Sequence, residues 1–328
     1  MNGRIRTAYM QQFAKDDLLP QLAENPLLDF KAARNADELR AILPGAELLI
    51  ANNRFYDEEV GRVVLEHGKD LRWIQYWTAG IERGIRYGMP RGIPVCAAAG
   101  VKGPTVAEHA MLLLLASFRR FREIERARTA RTWIRDQMHE TSRTLEGATV
   151  VIVGFGAIGQ EIARKAKAFD MTVITVTRAG KAGPTVDQAV TRERMHEVLP
   201  QADAVVLCLP VEPDTVRLFG DAEFARMKRD ALFINVGRGD LVDEDALIRA
   251  LAARRIGGAA LDVTMVEPLP VDSPLWNFDT VLISPHCGGT GKDGSERFIA
   301  IFEENLRRYR AGDPLIGVVD WERMAALA

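Results

Sequence analysis

The sequence predicts an α/β protein of two domains, each built on a parallel sheet flanked by helices. Its 328 residues exceed the ~250–300 at which a single core stops growing. Short apolar runs alternate with stretches of helical spacing, which is typical of parallel strands joined by helices. The second half shows this series again, with strands that are near-continuous runs of Val, Ile and Leu, as expected when both faces of a sheet are buried.

The predicted elements follow from these runs. In the first part of the chain we expect strands at 47–52, 71–77 and 93–97, and helices at 57–67 and 105–121, the latter capped by Thr105 after a Gly-Pro break. In the second part we expect strands at 149–153, 172–177, 204–208, 231–236, 258–262 and 281–284, and a closing helix at 294–310.

A glycine-rich loop opens the second series. The segment 150–159, VVIVGFGAIG, is a strand, then Gly154-x-Gly156-x-x-Gly159, then a helix start, which is the context that makes this motif a Rossmann-type dinucleotide site. Gly154 permits the turn, Gly156 lets the backbone approach the pyrophosphate, and Gly159 allows helix–strand packing. The N–H groups of Ala157 and Ile158 are predicted to face the phosphates.

The next strand bears on which dinucleotide is bound. NAD sites usually end this strand with Asp or Glu on the ribose diol, whereas here it ends Thr177-Arg178, with Lys181 close behind. A hydroxyl and cations suit a 2′-phosphate, so we expect NADP to be preferred over NAD. The alternative is that Arg178 lies over the adenine face and NAD is used equally.

Composition excludes several classes of protein. A net charge of −2 and a pI near 6.3 give no electrostatic footprint for nucleic acid or an anionic membrane. Three separated cysteines predict neither a disulfide framework nor a structural metal site, and no metal is expected. With no secretory h-region and no apolar run long enough to span a bilayer, we expect a cytoplasmic protein.

The stretch 119–143 is rich in Arg, with interspersed Glu and Trp133. A nucleic-acid-binding arm would not be diluted with Glu, so we interpret it as a solvated or subunit-facing surface.

Three later segments each end a strand with a residue suited to catalysis. Arg238 follows INVG, the strand end ALDV leads to Glu267 in the segment Glu267-Pro268-Leu269, and His286 lies in SPHCGG. Parallel strand ends share one sheet edge, so the three side chains are expected to converge there. The other histidines, at 67, 109, 139 and 196, lack such settings, and we interpret them as structural or solvated.

With these motifs in order, the chain resembles the D-isomer-specific 2-hydroxyacid dehydrogenase family, in particular its glyoxylate/hydroxypyruvate reductase-like members. The segments RWIQYWTAGIE (72–82), TVAEHAMLLLL (105–115), VGFGAIG, LCLPVEPDT (207–215), INVGRGDLVDEDAL (234–247), ALDV…EPLP and SPHCGG match the family. The resemblance implies hydride transfer between NAD(P)H and a small 2-oxo acid, and a homodimer.

The resemblance also implies a role for each site residue. Arg238 would bind the substrate carboxylate and 2-oxo oxygen, His286 would be the acid–base, and Glu267 would orient His286. The N–H groups of Ala79 and Gly80, from the other domain, would hold the carboxylate. The cofactor-binding set is predicted to be Gly154, Gly156, Ala157, Ile158, Gly159, Thr177, Arg178, Val236, Asp262 near the nicotinamide, His286 and Gly288, with Leu209, Pro210 and Thr215 on the adenosine side.

The implied fold places a Rossmann-type dinucleotide-binding domain, residues 102–288, within a discontinuous flavodoxin-like substrate domain, residues 1–101 and 289–328. Two alternatives remain open. One is a dinucleotide-sensing, corepressor-like binding protein of the same fold, and the other is a dehydrogenase acting on phosphoglycerate or phosphite. The sequence does not select one 2-oxo acid, because side-chain specificity depends on loop geometry.

Overall fold

The structure is a computed structural model that describes residues 3–10, 18–98, 100–291 and 293–321. Its strands are β1 Ile5–Met10, β2 Leu28–Ala33, β3 Leu48–Ala51, β4 Trp73–Tyr76, β5 Val95–Cys96, β6 Thr149–Val153, β7 Thr172–Thr177, β8 Gln188–Thr191, β9 Ala204–Leu207, β10 Leu232–Asn235, β11 Gly258–Leu261 and β12 Val281–Ile283. Its α-helices are α1 Leu18–Ala23, α2 Ala36–Ile42, α3 Glu58–His67, α4 Glu82–Tyr87, α5 Gly103–Phe118, α6 Phe121–Ala130, α7 Arg135–Thr141, α8 Ala157–Lys167, α9 Met195–Val198, α10 Asp221–Phe224, α11 Glu244–Ala252 and α12 Asp293–Ala311.

The chain divides into two compact units. The first comprises residues 1–101 and 291–328. Its five strands are all parallel, in the order β2-β1-β3-β4-β5, which is the flavodoxin-like order. Apolar residues of α2 and α3 cover one face of the sheet. Residues of α1 and α12 cover the other, where Phe302 stacks on both Trp73 and Phe298.

The second unit comprises residues 102–290. Its seven parallel strands run β12-β11-β10-β9-β6-β7-β8, which is the Rossmann order with one further strand at the β12 edge. Helices α5 and α8 cover one face, and α11 and the shorter segments cover the other. The strand order reverses between β6 and β9, so the loops that follow these two strands flank the crevice where such sheets bind ligands.

These two parallel-sheet domains confirm the predicted fold class. The bounds of β6 and β7 coincide with the prediction because each is an unbroken run of β-branched residues, TVVIV and TVITVT, with a buried centre. The prediction omitted β1, β2 and β8. The edge strand β8 is the short segment QAVT, only one residue of which is buried, so it lacks the apolar run on which the prediction depended.

The start and end of the long apolar helix were predicted wrongly. Helix α5 begins at Gly103 with Lys102 as its N-cap, so Thr105 is not the cap and Pro104 lies in the first turn, where proline is tolerated. The helix ends at Phe118 because Arg120 adopts a left-handed conformation, with φ of 54°, before α6 begins. Within the described ranges, none of the helices combines the length and apolar character that crossing a membrane requires.

Candidate active site

The glycine loop after β6 has the geometry of a dinucleotide cradle. Gly154 has φ of +106°, and a Cβ there would lie 3.0 Å from the Leu209 nitrogen. A Cβ on Gly159 would lie 2.2 Å from the Gly154 carbonyl oxygen, so close packing of α8 on the loop requires glycine at this position. At Gly156, in contrast, no atom lies within 4 Å of an added Cβ.

The open space over Gly156 indicates what the loop accommodates. Protein packing does not explain this glycine, whereas a pyrophosphate approaching the backbone does. Helix α8 begins at the next residue, and its first intrahelical bond runs from the Gln160 N–H to the Gly156 carbonyl. The N–H groups of Ala157 and Ile158 precede that bond and belong to the positive end of the helix dipole. The loop therefore fits a dinucleotide.

The predicted acid–base pair is formed in the second unit. Nδ1 of His286 lies 2.7 Å from Oε2 of Glu267, and the Thr264 N–H donates to Oε1 of the same carboxylate at 3.3 Å. Burial alone would raise the pKa of Glu267, but the hydrogen bond and charge of His286 outweigh burial, so the pKa is lowered overall. His286 itself is exposed, and with Nδ1 engaged its Nε2 is the ring atom left for a substrate.

Arg238 is positioned by the turn that follows β10. The buried Asn235 side chain donates to the Arg238 carbonyl at 2.9 Å and accepts from the Gly237 N–H at 3.0 Å. A Cβ on Gly239 would lie 2.0 Å from the Thr264 carbonyl oxygen, so this glycine lets the turn pack directly on the segment that leads to Glu267. The charge of Arg238 contributes to the lowered pKa of Glu267.

Asp262 lies at the end of β11 and is almost completely buried. Its carboxylate accepts from the Cys287 N–H and the Gly288 N–H, each at 2.9 Å, and from the Ser284 hydroxyl at 2.7 Å. Burial opposes ionisation, but hydrogen bonds from His109, Ser284 and the Gly288 N–H outweigh it and lower the pKa of Asp262 to about 2. Asp262 is therefore a buried anion that binds the loop carrying His286.

At the end of β7, Arg178 has acidic partners that the sequence reasoning did not identify. Its guanidinium contacts the buried Glu212 carboxylate and lies 3.7 Å from Asp214, which also pairs with Arg192 at 2.5 Å. The strand end itself carries no carboxylate, but the loop after β9 supplies two. The Thr177 hydroxyl accepts from the Lys181 N–H at 2.7 Å, which closes the turn after the strand.

The other predicted cofactor-binding residues differ in their burial and in whether their polar groups are already hydrogen-bonded within the protein. Thr215 is buried, and its hydroxyl bonds within its own loop, donating to the Pro210 carbonyl and accepting from the Glu212 N–H. It therefore shapes the loop rather than offering a group to a ligand. Leu209 is buried beside Gly154, and Pro210 is exposed. Val236 is buried after β10, and Gly288 is held by Asp262.

In the first unit, Ala79 and Gly80 lie in the loop after β4. The Thr78 hydroxyl donates to the Gly80 carbonyl at 2.8 Å and accepts from the Asn53 N–H at 3.3 Å, which ties this loop to the end of β3. Ala79 is exposed, and Gly80 is half-buried. These two hydrogen bonds hold the loop in place, with Ala79 on the protein surface.

Comparison with known proteins places the chain in a family. A model of the NAD binding domain of D-isomer specific 2-hydroxyacid dehydrogenases matches residues 111–288. The glyoxylate reductase of Korarchaeum cryptofilum is 31% identical over 253 residues, 76% of each chain. The chain belongs to the D-isomer specific 2-hydroxyacid dehydrogenase family. The (S)-sulfolactate dehydrogenase of Chromohalobacter salexigens is 33% identical over 306 residues, 91% of this chain and 96% of its own.

A solved structure agrees with this assignment. The D-isomer specific 2-hydroxyacid dehydrogenase of Xanthobacter autotrophicus, in complex with NADPH and MES, is 26% identical, with a TM-score of 0.80 over 98% of this chain and 99% of its own. This protein is therefore an enzyme, an NAD(P)-dependent 2-hydroxyacid dehydrogenase that binds a nicotinamide dinucleotide.

In this 2-hydroxyacid dehydrogenase the second unit brings Glu267 and His286 into contact, with Arg238 close enough for its charge to act on Glu267. Sequence reasoning missed Asn235, His109 and Glu212. Asn235 had a local signal, an amide in the turn before Gly237. The other two had none, because their partners lie on elements distant in sequence.

Proposed function

We propose that this dehydrogenase reduces a small 2-oxo acid of the glyoxylate or hydroxypyruvate type, with NADPH preferred over NADH. The observation that carries the proposal is the 2.7 Å contact between His286 and Glu267, next to Arg238 at neighbouring strand ends. An acid–base group beside a fixed guanidinium is the pair of functions that carbonyl reduction of an acid requires.

The chain's own residues account for binding and proton transfer. Arg238 presents a fork of donors to the carboxylate and 2-oxo oxygen, and we assign the N–H groups of Ala79 and Gly80 to the carboxylate as well. Glu267 holds Nδ1 of His286, so Nε2 donates the proton to the carbonyl oxygen during reduction and removes it during oxidation. Because its pKa is lowered, Glu267 keeps its charge at neutral pH. The reduced nicotinamide, when bound, supplies the hydride to the carbonyl carbon.

A panel of 2-oxo acids tests the function. Glyoxylate, hydroxypyruvate, pyruvate and longer analogues are assayed with NADPH and NADH separately, and kcat/KM is compared. We expect glyoxylate and hydroxypyruvate to have the highest kcat/KM. No turnover of any 2-oxo acid by a protein that still binds the dinucleotide would contradict the proposal and favour a binding role.

The preference for NADPH rests on the charges around the end of β7. Arg178 follows this strand directly, and its side chain is 56% exposed although it contacts Glu212 and lies 3.7 Å from Asp214. A guanidinium held in place at this edge offers a charge-assisted contact to a 2′-phosphate, typically about 1.5–3 kcal/mol.

Two variants separate the contributions to this preference. Thr177→Asp combined with Arg178→Ala should shift kcat/KM toward NADH by at least about tenfold, or ~1.4 kcal/mol. Glu212→Gln is the matched opposite change, because it removes the competing charge and should strengthen the preference for NADPH. Equal wild-type efficiencies with the two cofactors, or no shift in the double variant, would show that Arg178 does not read the phosphate.

A second substrate class is supported by one observation. Arg54 is exposed in the short helical turn of residues 53–55 that follows β3, and its neighbour Asn53 donates a backbone hydrogen bond to Thr78, next to Ala79 and Gly80. A cation there suits a 2-oxo acid with a second anionic group, and one relative is named a sulfolactate dehydrogenase. Under this alternative, a sulfonated or phosphorylated 2-oxo acid is the best substrate, and Arg54→Ala raises its KM without changing that of glyoxylate.

We also propose that the protein is a homodimer. Large apolar side chains of α5, α6 and the segment that follows are exposed: Leu112, Phe121, Ile124 and Trp133, the last with 91% of its surface accessible. Large exposed apolar side chains on consecutive elements are typical of a subunit interface.

A further inference from the structure

We propose that His109 is a positioning residue for the catalytic loop, which we define as residues 284–288. Through Asp262 and Ser284, His109 fixes the backbone that carries His286. This role rests on the proposed function only in assigning the acid–base role to His286. His109 lies on α5, 175 residues from Ser284 in sequence.

The catalytic loop is wrapped around Asp262. The His286 N–H donates to the Asp262 carbonyl at 2.9 Å, and the next two N–H groups, of Cys287 and Gly288, donate to its carboxylate. His286 has φ of +51°, a left-handed conformation that residues with a Cβ adopt only when their surroundings enforce it. The three consecutive bonds to Asp262 supply that constraint, so the position of His286 depends on Asp262 staying in place.

His109 completes the hydrogen bonding of this anchor. Its Nε2 lies 2.8 Å from the Ser284 oxygen and 3.3 Å from Oδ1 of Asp262. The Ser284 hydroxyl donates its only proton to Asp262, so Nε2 of His109 carries the hydrogen that bonds the hydroxyl oxygen. The His109 side chain is only 14% exposed. If its donor were lost, the half-buried Ser284 hydroxyl and the buried Asp262 carboxylate would each lose a hydrogen-bond partner, and the loop would loosen.

His109, Asp262 and Cys287 also carry donor atoms of the kinds that bind metal ions. A nitrogen of His109, an oxygen of Asp262 and the sulfur of Cys287 lie within 4.8 Å of one another. However, both oxygens of Asp262 already accept hydrogen bonds from the loop, and burial together with the Asp262 charge raises the pKa of the Cys287 thiol. A metal would need a thiolate and a free carboxylate, so the hydrogen-bonded arrangement favours positioning.

Two substitutions at the same residue test the proposal. His109→Leu keeps similar bulk and removes the donor, whereas His109→Gln places an amide N–H near the position of Nε2. Hydrogen–deuterium exchange of the 284–290 peptide is followed in protein without cofactor or substrate, alongside kcat, KM and thermal unfolding. We expect His109→Leu to raise exchange by at least about tenfold and to lower kcat by on the order of 10²-fold, with KM nearly unchanged, because Arg238 lies outside this network. His109→Gln should retain both properties to within about threefold.

His196→Leu is the matched control. His196 is also partly buried in the second unit and pairs with Glu223 at 2.7 Å, away from the catalytic loop. The His196→Leu substitution should lower thermal stability without changing hydrogen–deuterium exchange of the 284–290 peptide or kcat. The proposal would be overturned if His109→Leu showed the wild-type rate of exchange, or if His109→Gln and His109→Leu changed exchange and kcat equally.

If His109→Leu does not fold, Ser284→Ala removes the same bridge, and unchanged exchange in that variant would equally refute the role. If the wild type reduces no 2-oxo acid, the proposed function fails while the exchange comparison still decides whether His109 orders the loop.

Discussion

Replacing Asp262 with Asn removes the buried charge on which the catalytic loop is anchored. The Asp262 side chain is 4% exposed, and its two oxygens accept from two backbone N–H groups and a hydroxyl. An asparagine can still accept through one oxygen, but its NH₂ group then faces a loop N–H that it cannot bond. The variant is therefore expected to lose the charge-assisted part of these bonds.

The pKa of Asp262 gives the magnitude. Hydrogen bonding lowers it from an ordinary value of 3.8 to about 2, although burial alone would raise it. At about 1.4 kcal/mol per pKa unit, this shift means that the charged carboxylate contributes about 2–3 kcal/mol to stability at neutral pH. Because the folded-state pKa is the lower one, this contribution is complete above the unfolded value and disappears as the pH falls through about 2.

Native-state hydrogen exchange in β10 and β11 measures the opening free energy of the second unit. Asp262→Asn should lower it by about 2–3 kcal/mol near pH 7, and the difference from wild type should shrink to roughly half near pH 3. Asp245→Asn, an exposed substitution on α11, is the control and should change it by less than about 0.5 kcal/mol. A difference below ~0.5 kcal/mol at neutral pH, or one independent of pH, would refute the reasoning.

Other predictions concern chemistry and assembly. His286→Ala should lower kcat by about 10²–10⁴-fold while the cofactor still binds, as fluorescence titration would show, and retention of more than about a tenth of kcat would contradict the acid–base role. Arg238→Lys should lower kcat/KM by a comparable factor, because an ammonium cannot reproduce the bidentate contact of the guanidinium with the substrate. A nearly normal kcat/KM would exclude such a contact. Sedimentation at micromolar concentration should show a dimer that Trp133→Glu weakens, whereas a wild type found only at 36.4 kDa would refute the interface.

The sequence alone determined the strands of both sheets except β1, β2 and β8, and it determined which residues follow the ends of β10, β11 and β12. The bounds of strands β6 and β7 could be predicted to the residue because each is an unbroken run of β-branched residues with a buried centre. The glycine loop could be recognised because its chemistry is local, residing in a spacing of six residues. Arg238, Glu267 and His286 could be grouped because parallel strands place their carboxyl ends on one edge of a sheet, whatever their side chains do.

Only the tertiary structure decided which side chains meet across that edge. His109 carried no signal in the sequence, because its partner Ser284 is 175 residues away and the contact depends on how α5 packs on the sheet. The sequence likewise did not predict that Glu212 contacts Arg178, because the two residues lie on loops that follow different strands. Such contacts depend on packing distances and side-chain directions between elements remote in sequence, and periodicity specifies only which face of an element is buried.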